Sequence, residues 1–181
     1  MSFGIGHGPA RVRELRSFPR LAARSQSDSE RLILVAVDGS PSAPVAVRMA
    51  AELARSLGAR IIILRVLPIE TYAMSAYPSG MNDGRRVEIE TERLERLLKR
   101  TLGEHRDLSE PELVIAFGTS PHRMIAEVAE KRGADLVVMG ADGGGRIRRF
   151  FFGSIADKTR RVARCPVLTA SADSRSRLLG P

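Results

Sequence analysis

The chain has 181 residues, of which 43% are hydrophobic, and its 29 Lys and Arg against 21 Asp and Glu give a formal net charge of +8. This length suits one domain with a tail, and the hydrophobic fraction is sufficient for a core. The single Cys165 excludes an internal disulfide and is typical of a reducing compartment. No apolar run approaches the about 20 residues that cross a bilayer, and no secretory signal opens the chain. We therefore expect a cytoplasmic protein without a membrane span.

The first 30 residues are rich in Arg, and Gly4, Gly6, Gly8, Pro9 and Pro19 disfavour a long helix there. We predict that residues 1–30 form a disordered basic extension and residues 171–181 a disordered tail. Much of the basic excess lies in these two segments rather than in one stripe, so nucleic acid is not the expected partner. A nucleic-acid role for the Arg-rich extension stays open as an alternative.

Patterned sequence begins near Arg31. Leu32–Val37 is a continuous apolar run, as in a strand buried on both faces of a parallel sheet. Asp38-Gly-Ser-Pro41 has turn chemistry, and a helix with Ser42 as its N-cap is predicted to end at Gly58. A second buried strand follows at 61–66.

The remaining elements continue this alternation of strand and helix. The segment 68–84 is predicted as a long loop. The later predicted elements are a helix at 86–102, a strand at 112–117, a helix that starts in the segment 118–121 and ends at Gly133, a strand at 136–139, a glycine segment 140–154, a helix with Ser154 as N-cap, and a strand at 166–170.

This alternation predicts an α/β fold: one doubly wound, Rossmann-like domain over 31–170, with a parallel sheet and helices on both faces. Ligands of such sheets bind beyond the carboxyl ends of the strands, where the winding direction reverses. Two strand ends carry suitable chemistry, Asp38-Gly-Ser40 and Gly140-Ala-Asp-Gly143. A carboxylate accepts hydrogen bonds from a ribose hydroxyl or an adenine amino group, and a glycine turn before a helix suits phosphate.

The glycine segment resembles the universal stress protein family, whose ATP-binding members carry Gly-x2-Gly-x9-Gly-(Ser/Thr). The matching residues are Gly140, Gly143, Gly153 and Ser154. The stretches Leu-Val-Ala-Val-Asp-Gly-Ser, Gly-Ala-Asp-Leu-Val-Val-Met-Gly and Cys-Pro-Val-Leu are similar to the same family. The resemblance covers about 31–170.

The resemblance implies a five-stranded parallel sheet in the order 3-2-1-4-5 and a homodimer paired through the last strand, 166–170. It implies a stress-response regulatory protein that holds ATP and acts on a protein partner that the sequence does not identify. Asp38 would contact the nucleoside and Val66 would line the adenine pocket. The phosphates would be held by Gly140, Gly143, Gly153 and Ser154. A Mg²⁺ ion would suit the bound triphosphate.

Two alternatives stay open. Asp142 places a carboxylate inside the loop, where it repels a triphosphate unless a cation lies between them. The first alternative is a ligand-free adaptor, whose nucleotide site is weakened by Asp142. The second is a slow ATPase, in which the bound nucleotide turns over. We predict no metal-ligand set, because His7 and His105 have no Cys or His neighbours at metal spacing. We predict no catalytic residues, because no Ser/His/Asp or Cys/His set is recognisable. We interpret His122 as a surface or packing residue and Cys165 as a buried structural thiol. The chain also lacks Gly-x4-Gly-Lys-(Ser/Thr), so rapid hydrolysis of the Walker type is unsupported.

Overall fold

A computed structural model of the chain describes residues 12–15, 30–69, 83–103, 109–141 and 154–171. The strands are β1 Val12–Leu15, β2 Leu32–Val37, β3 Arg60–Leu67, β4 Glu112–Phe117, β5 Leu136–Gly140 and β6 Val167–Ala170. The helices are α1 Ala43–Leu57, α2 Asp83–Leu102, α3 Pro121–Arg132 and α4 Ser154–Val162. The tail predicted to be disordered lies outside these residues from 172 onward, as does most of the predicted loop at 68–84.

The strands form one sheet in the order β1-β4-β3-β2-β5-β6, and every neighbouring pair is parallel. Strands β2 to β6, counted within the predicted domain, follow the predicted order 3-2-1-4-5. The α/β fold and its topology are therefore confirmed. The chain winds outward from β2 to β4 and then returns to the other side of β2 with β5, so the winding reverses between β2 and β5.

A sixth strand, β1, lies at the outer edge beside β4, with Val12 paired to Leu113 and Leu15 to Ala116. The prediction that residues 1–30 are disordered does not hold for these four residues, because they form a paired strand. An edge strand such as β4 presents a row of unpaired N–H and C=O groups, and an extended segment can pair with it. Composition reports the mean character of the extension and does not reveal such a short paired segment.

The sheet is covered on both faces. One face packs against α1 and α2, and the other packs against α3 and α4. Alternate residues of β2 point to opposite faces, so all of its residues are buried although they belong to two different cores. This arrangement explains why the strand reads as a continuous apolar run rather than as an alternating pattern.

The element boundaries differ from the predictions by a few residues. Helix α2 begins at Asp83, three residues before the predicted start, and its acidic first turn suits the helix dipole. Strand β6 begins at Val167 rather than at the preceding proline, which has no N–H for the ladder. Helices α1 and α3 end at left-handed Gly58 and Gly133, as the sequence predicts.

Candidate functional site

The turn after β2 carries the first predicted ligand residue. Asp38 is exposed, and its Oδ1 accepts a hydrogen bond from the backbone N–H of Ser40 at 3.0 Å. Between them, Gly39 has a φ of 78°, a left-handed conformation that glycine adopts without steric cost. The carboxylate is thus held by its own turn at the carboxyl end of the strand.

Behind this turn, Ser40 and Ser42 form a buried pair of hydroxyl groups whose oxygens lie 2.9 Å apart. Ser42 occupies the predicted N-cap position of α1, and its carbonyl oxygen accepts a hydrogen bond from the N–H of Ala46 at 3.0 Å, but its side chain makes no capping hydrogen bond. Its φ of −82° and ψ of −13° are helical. An N-cap hydroxyl normally projects from an extended backbone, from which it reaches the free amides of the first turn.

Gly140, the last residue of β5, lies directly against Ser42. A Cβ placed on Gly140 would lie 2.2 Å from Oγ of Ser42, 3.0 Å from its Cβ and 3.4 Å from its carbonyl carbon. Rotation of the hydroxyl would relieve the 2.2 Å contact, but it would move Oγ away from Ser40 and would leave the tight contacts at 3.0 and 3.4 Å. The first glycine of the motif therefore makes a tight packing contact between β5 and the residue before α1.

Three of the predicted ligand residues lie along the side of the sheet where the strands have their carboxyl ends. Val37 of β2 pairs with Arg65 of β3, and Ala36 pairs with Met139 of β5. The residues that follow are Asp38, Val66 and Gly140, at the carboxyl ends of three adjacent strands. Val66 is half-buried and packs on the core on the α3 and α4 side. The predicted adjacency of the first and fourth domain strands is confirmed.

The rest of the glycine motif is described only in part. Gly143 and Gly153 lie outside the described residues, as does Asp142. Ser154 is the first residue of α4, so the amino-terminal end of this helix begins where the motif ends. The N–H of Ala141 donates to the carbonyl of Ala170 at 2.8 Å, which engages the first amide after Gly140 in the sheet.

Two titratable side chains considered in the sequence have shifted pKa values. Partial burial lowers the pKa of His122, and the nearby cations Lys158 and Arg123 lower it further. Burial raises the pKa of the Cys165 thiol, which keeps it protonated and poorly nucleophilic at neutral pH. Among the described residues, no group of three or more His, Cys, Asp or Glu side chains could hold a metal ion.

Sequence reasoning assigned no role to Arg65 and missed the contact between Ser40 and Ser42. Nothing in the sequence indicates that the hydroxyl groups of these two serines meet in a buried contact. Arg65 did leave a signal, because it is the one charged residue in the apolar run Ile61–Leu67. A charge inside a buried strand indicates a specific partner.

A model of the universal stress protein family matches residues 30–171. The chain belongs to the universal stress protein family. A protein of Staphylococcus haemolyticus that carries the name of this family is 29% identical over 143 residues, which cover 78% of this chain and 84% of that protein.

No helix in the described ranges is long and apolar enough to span a bilayer.

Solved structures of universal stress proteins share the fold. UspA from Lactobacillus plantarum is 24% identical, with a TM-score of 0.61 over 77% of this chain and 97% of that chain. A universal stress protein from Archaeoglobus fulgidus, solved in complex with dAMP, is 26% identical, with a TM-score of 0.55 over 77% of this chain and 97% of that chain. The relative from Archaeoglobus fulgidus is thus a family member with a bound adenine nucleotide.

Proposed function

We propose that this universal stress protein is an ATP-binding regulatory module, in which the bound nucleotide sets the state of a dimer or of its partners. The observation that carries the proposal is the convergence of Asp38, Val66 and Gly140 at the carboxyl ends of β2, β3 and β5. This edge contains the point where the winding reverses, which is where doubly wound sheets bind ligands. The dAMP complex of the Archaeoglobus fulgidus relative supports an adenine nucleotide.

The described residues fit the nucleoside half of such a ligand. Asp38 presents an exposed carboxylate, which can accept hydrogen bonds from a ribose hydroxyl or an adenine amino group. Val66 offers a half-buried apolar surface against which an adenine ring can pack. Both side chains are fixed by the backbone, one by a hydrogen-bonded turn and the other by a central strand.

The phosphate half of the proposal rests on the spacing of the motif. Gly143, Gly153 and Ser154 would hold the phosphates through backbone N–H groups and the start of α4, where the helix dipole favours negative charge. Gly140 would act mainly by its close contact with Ser42, which sets the path by which the chain leaves β5. Mg²⁺ would offset the repulsion between the triphosphate and Asp142.

The proposed dimer would pair through the last strand, residues 166–170. Strand β6 lies at the edge of the sheet opposite β1, and the side chain of Leu168 is exposed there. An exposed strand edge with an apolar side chain is suited to pairing with a second copy of itself.

Denaturing the purified protein and identifying released nucleotides by mass spectrometry is the first test of this function. Calorimetric titration with ATP, ADP, AMP and dAMP, with and without Mg²⁺, then measures each Kd. We expect Asp38→Asn to weaken binding by about 10- to 100-fold, because a hydrogen bond to a charged group is lost. Glu52→Gln, an equal charge change on the exposed face of α1, is the matched control.

No copurified nucleotide and no heat with any of the four ligands would exclude nucleotide binding. If Asp142→Ala then restores binding, the chain is the ligand-free adaptor considered above. Steady phosphate release from ATP that Asp38→Asn abolishes would instead identify a slow ATPase.

A further inference from the structure

The side chain of Arg65 crosses from β3 to the end of the neighbouring strand. Its Nε donates to Oε2 of Glu90 on α2 at 3.0 Å, and its Nη1 donates to the carbonyl oxygen of Val37 at 3.4 Å. Val37 is the last residue of β2, and Asp38 follows it directly. Arg65 therefore contacts the backbone at the peptide that carries the proposed nucleoside ligand.

Glu90 holds this guanidinium in place. Its carboxylate is buried and contacts two cations, Arg65 through Oε2 and Arg93 through Oε1. A buried carboxylate is costly unless it is paired and hydrogen-bonded, so the pairing strongly restrains the side chains that satisfy it. Because α2 packs on the same face of the sheet, Glu90 links the position of that helix to the end of β2.

Arg65 and the proposed adenine surface lie on opposite faces of the sheet. Arg65 and Val66 are consecutive in β3, and consecutive strand residues point to opposite sides. Val66 packs on the α3 and α4 side, whereas Glu90 belongs to α2 on the other side. Arg65 thus contacts the backbone of β2 from the face of the sheet opposite to the one on which Val66 packs.

We propose that Arg65, oriented by Glu90, is a positioning residue that fixes the end of β2 and so presents Asp38 to the nucleoside. This inference rests on the proposed function and adds to it residues on the far side of the sheet that set nucleoside affinity. An Arg side chain suits the role, since its planar fork can bond a carboxylate and a carbonyl at the same time.

The ligand-free protein provides the first test, by hydrogen exchange at the backbone N–H of Ser40, which donates to Asp38. We expect Arg65→Met and Glu90→Gln to accelerate this exchange about tenfold, because local opening of the turn becomes easier. The control is Arg132→Met, which breaks a half-buried pair with Glu112 at the amino-terminal edge of the sheet. This control should lower the global stability of the fold. The exchange rate at Ser40 should then rise no more than global unfolding explains. Equal exchange at Ser40 in the native protein and Arg65→Met would overturn the inference.

The ligand-bound protein provides the second test, in a double-mutant cycle. Arg65→Met should weaken the binding of adenosine, AMP and ATP by the same factor, about tenfold, because the substitution affects only the contacts with the nucleoside. When Asp38→Ala is already present, Arg65→Met should cause no further loss. Additive losses, or a loss that grows with the number of phosphates, would contradict the positioning role. If the native chain binds none of these ligands, the proposed function fails, and the exchange at Ser40 still decides whether Arg65 fixes the end of β2.

Discussion

Gly140 and Ser42 are in such close contact that a Cβ on residue 140 would lie 2.2 Å from the hydroxyl oxygen of Ser42. Ser42 in turn shares a hydrogen bond with Ser40, whose N–H donates to Asp38. A continuous set of contacts thus joins the proposed nucleoside carboxylate to the start of the glycine loop. The turn after β2 and the last residue of β5 thus pack together at two buried hydroxyl groups, in addition to the pairing of the two strands.

This contact predicts the effect of Gly140→Ala. The added methyl group overlaps Ser42, and we expect the free energy of unfolding to fall by about 1–3 kcal/mol, the usual cost of overpacking. Urea denaturation followed by circular dichroism measures the change. Ser42→Ala removes the nearest of the overlapping atoms, so part of the loss should return in the double variant.

Gly84→Ala is the matched control, because Gly84 is exposed in the first turn of α2. A helical glycine at an exposed site gains stability from this change, by about 0.4–1 kcal/mol. Similar stability changes at both glycines would show that contact with Ser42 does not determine the residue at 140.

The fold was predictable because its signals are repeated along the chain. The five strands of the domain and the glycines at the helix ends each follow from local patterns such as Leu32–Val37, and the family resemblance supplied the strand order. The role of Gly140 was not predictable, because the sequence spacing that suits a phosphate loop is compatible with a packing contact to a residue almost 100 positions away. Strand β1 was missed because its pairing depends on the edge of β4, which is distant in sequence.

The proposed dimer predicts an effect of Leu168→Arg. Leu168 is 38% exposed on β6, and a charge there should prevent burial of this strand edge between two copies. We expect the variant to be monomeric by size-exclusion chromatography with light scattering. Leu57→Arg changes a leucine of similar exposure, 42%, at the end of α1, and should leave the dimer intact. A native chain that is monomeric at all concentrations would exclude the proposed dimer.

The environment of His122 predicts a pH dependence. Partial burial, with Lys158 and Arg123 nearby, lowers the pKa of His122 below its ordinary value of 6.5. The folded state then binds fewer protons than the unfolded state. The contribution of His122 to the free energy of unfolding is complete above pH 6.5 and is lost as the pH falls through the pKa of His122 in the folded state.

An NMR titration of the ring protons measures the pKa of His122, with His122→Gln used to assign the signal. Lys158→Gln should raise this pKa without restoring the ordinary value, because burial is the larger cause. A native His122 that titrates at or above 6.5 would contradict the described surroundings of the ring.

The most direct test of the proposed nucleotide site is a map of backbone amide chemical shifts during titration with AMP and with Mg-ATP. We predict saturable shifts at the carboxyl edge of the sheet, at Ser40, Leu67 and Ala141, with little change at Arg60 and Glu112 on the opposite edge. The additional phosphates of ATP should extend the shifts into the start of α4. An absence of shifts at saturating nucleotide, or shifts confined to the amino-terminal edge, would contradict the proposal that this universal stress protein binds adenine nucleotides where β2, β3 and β5 end.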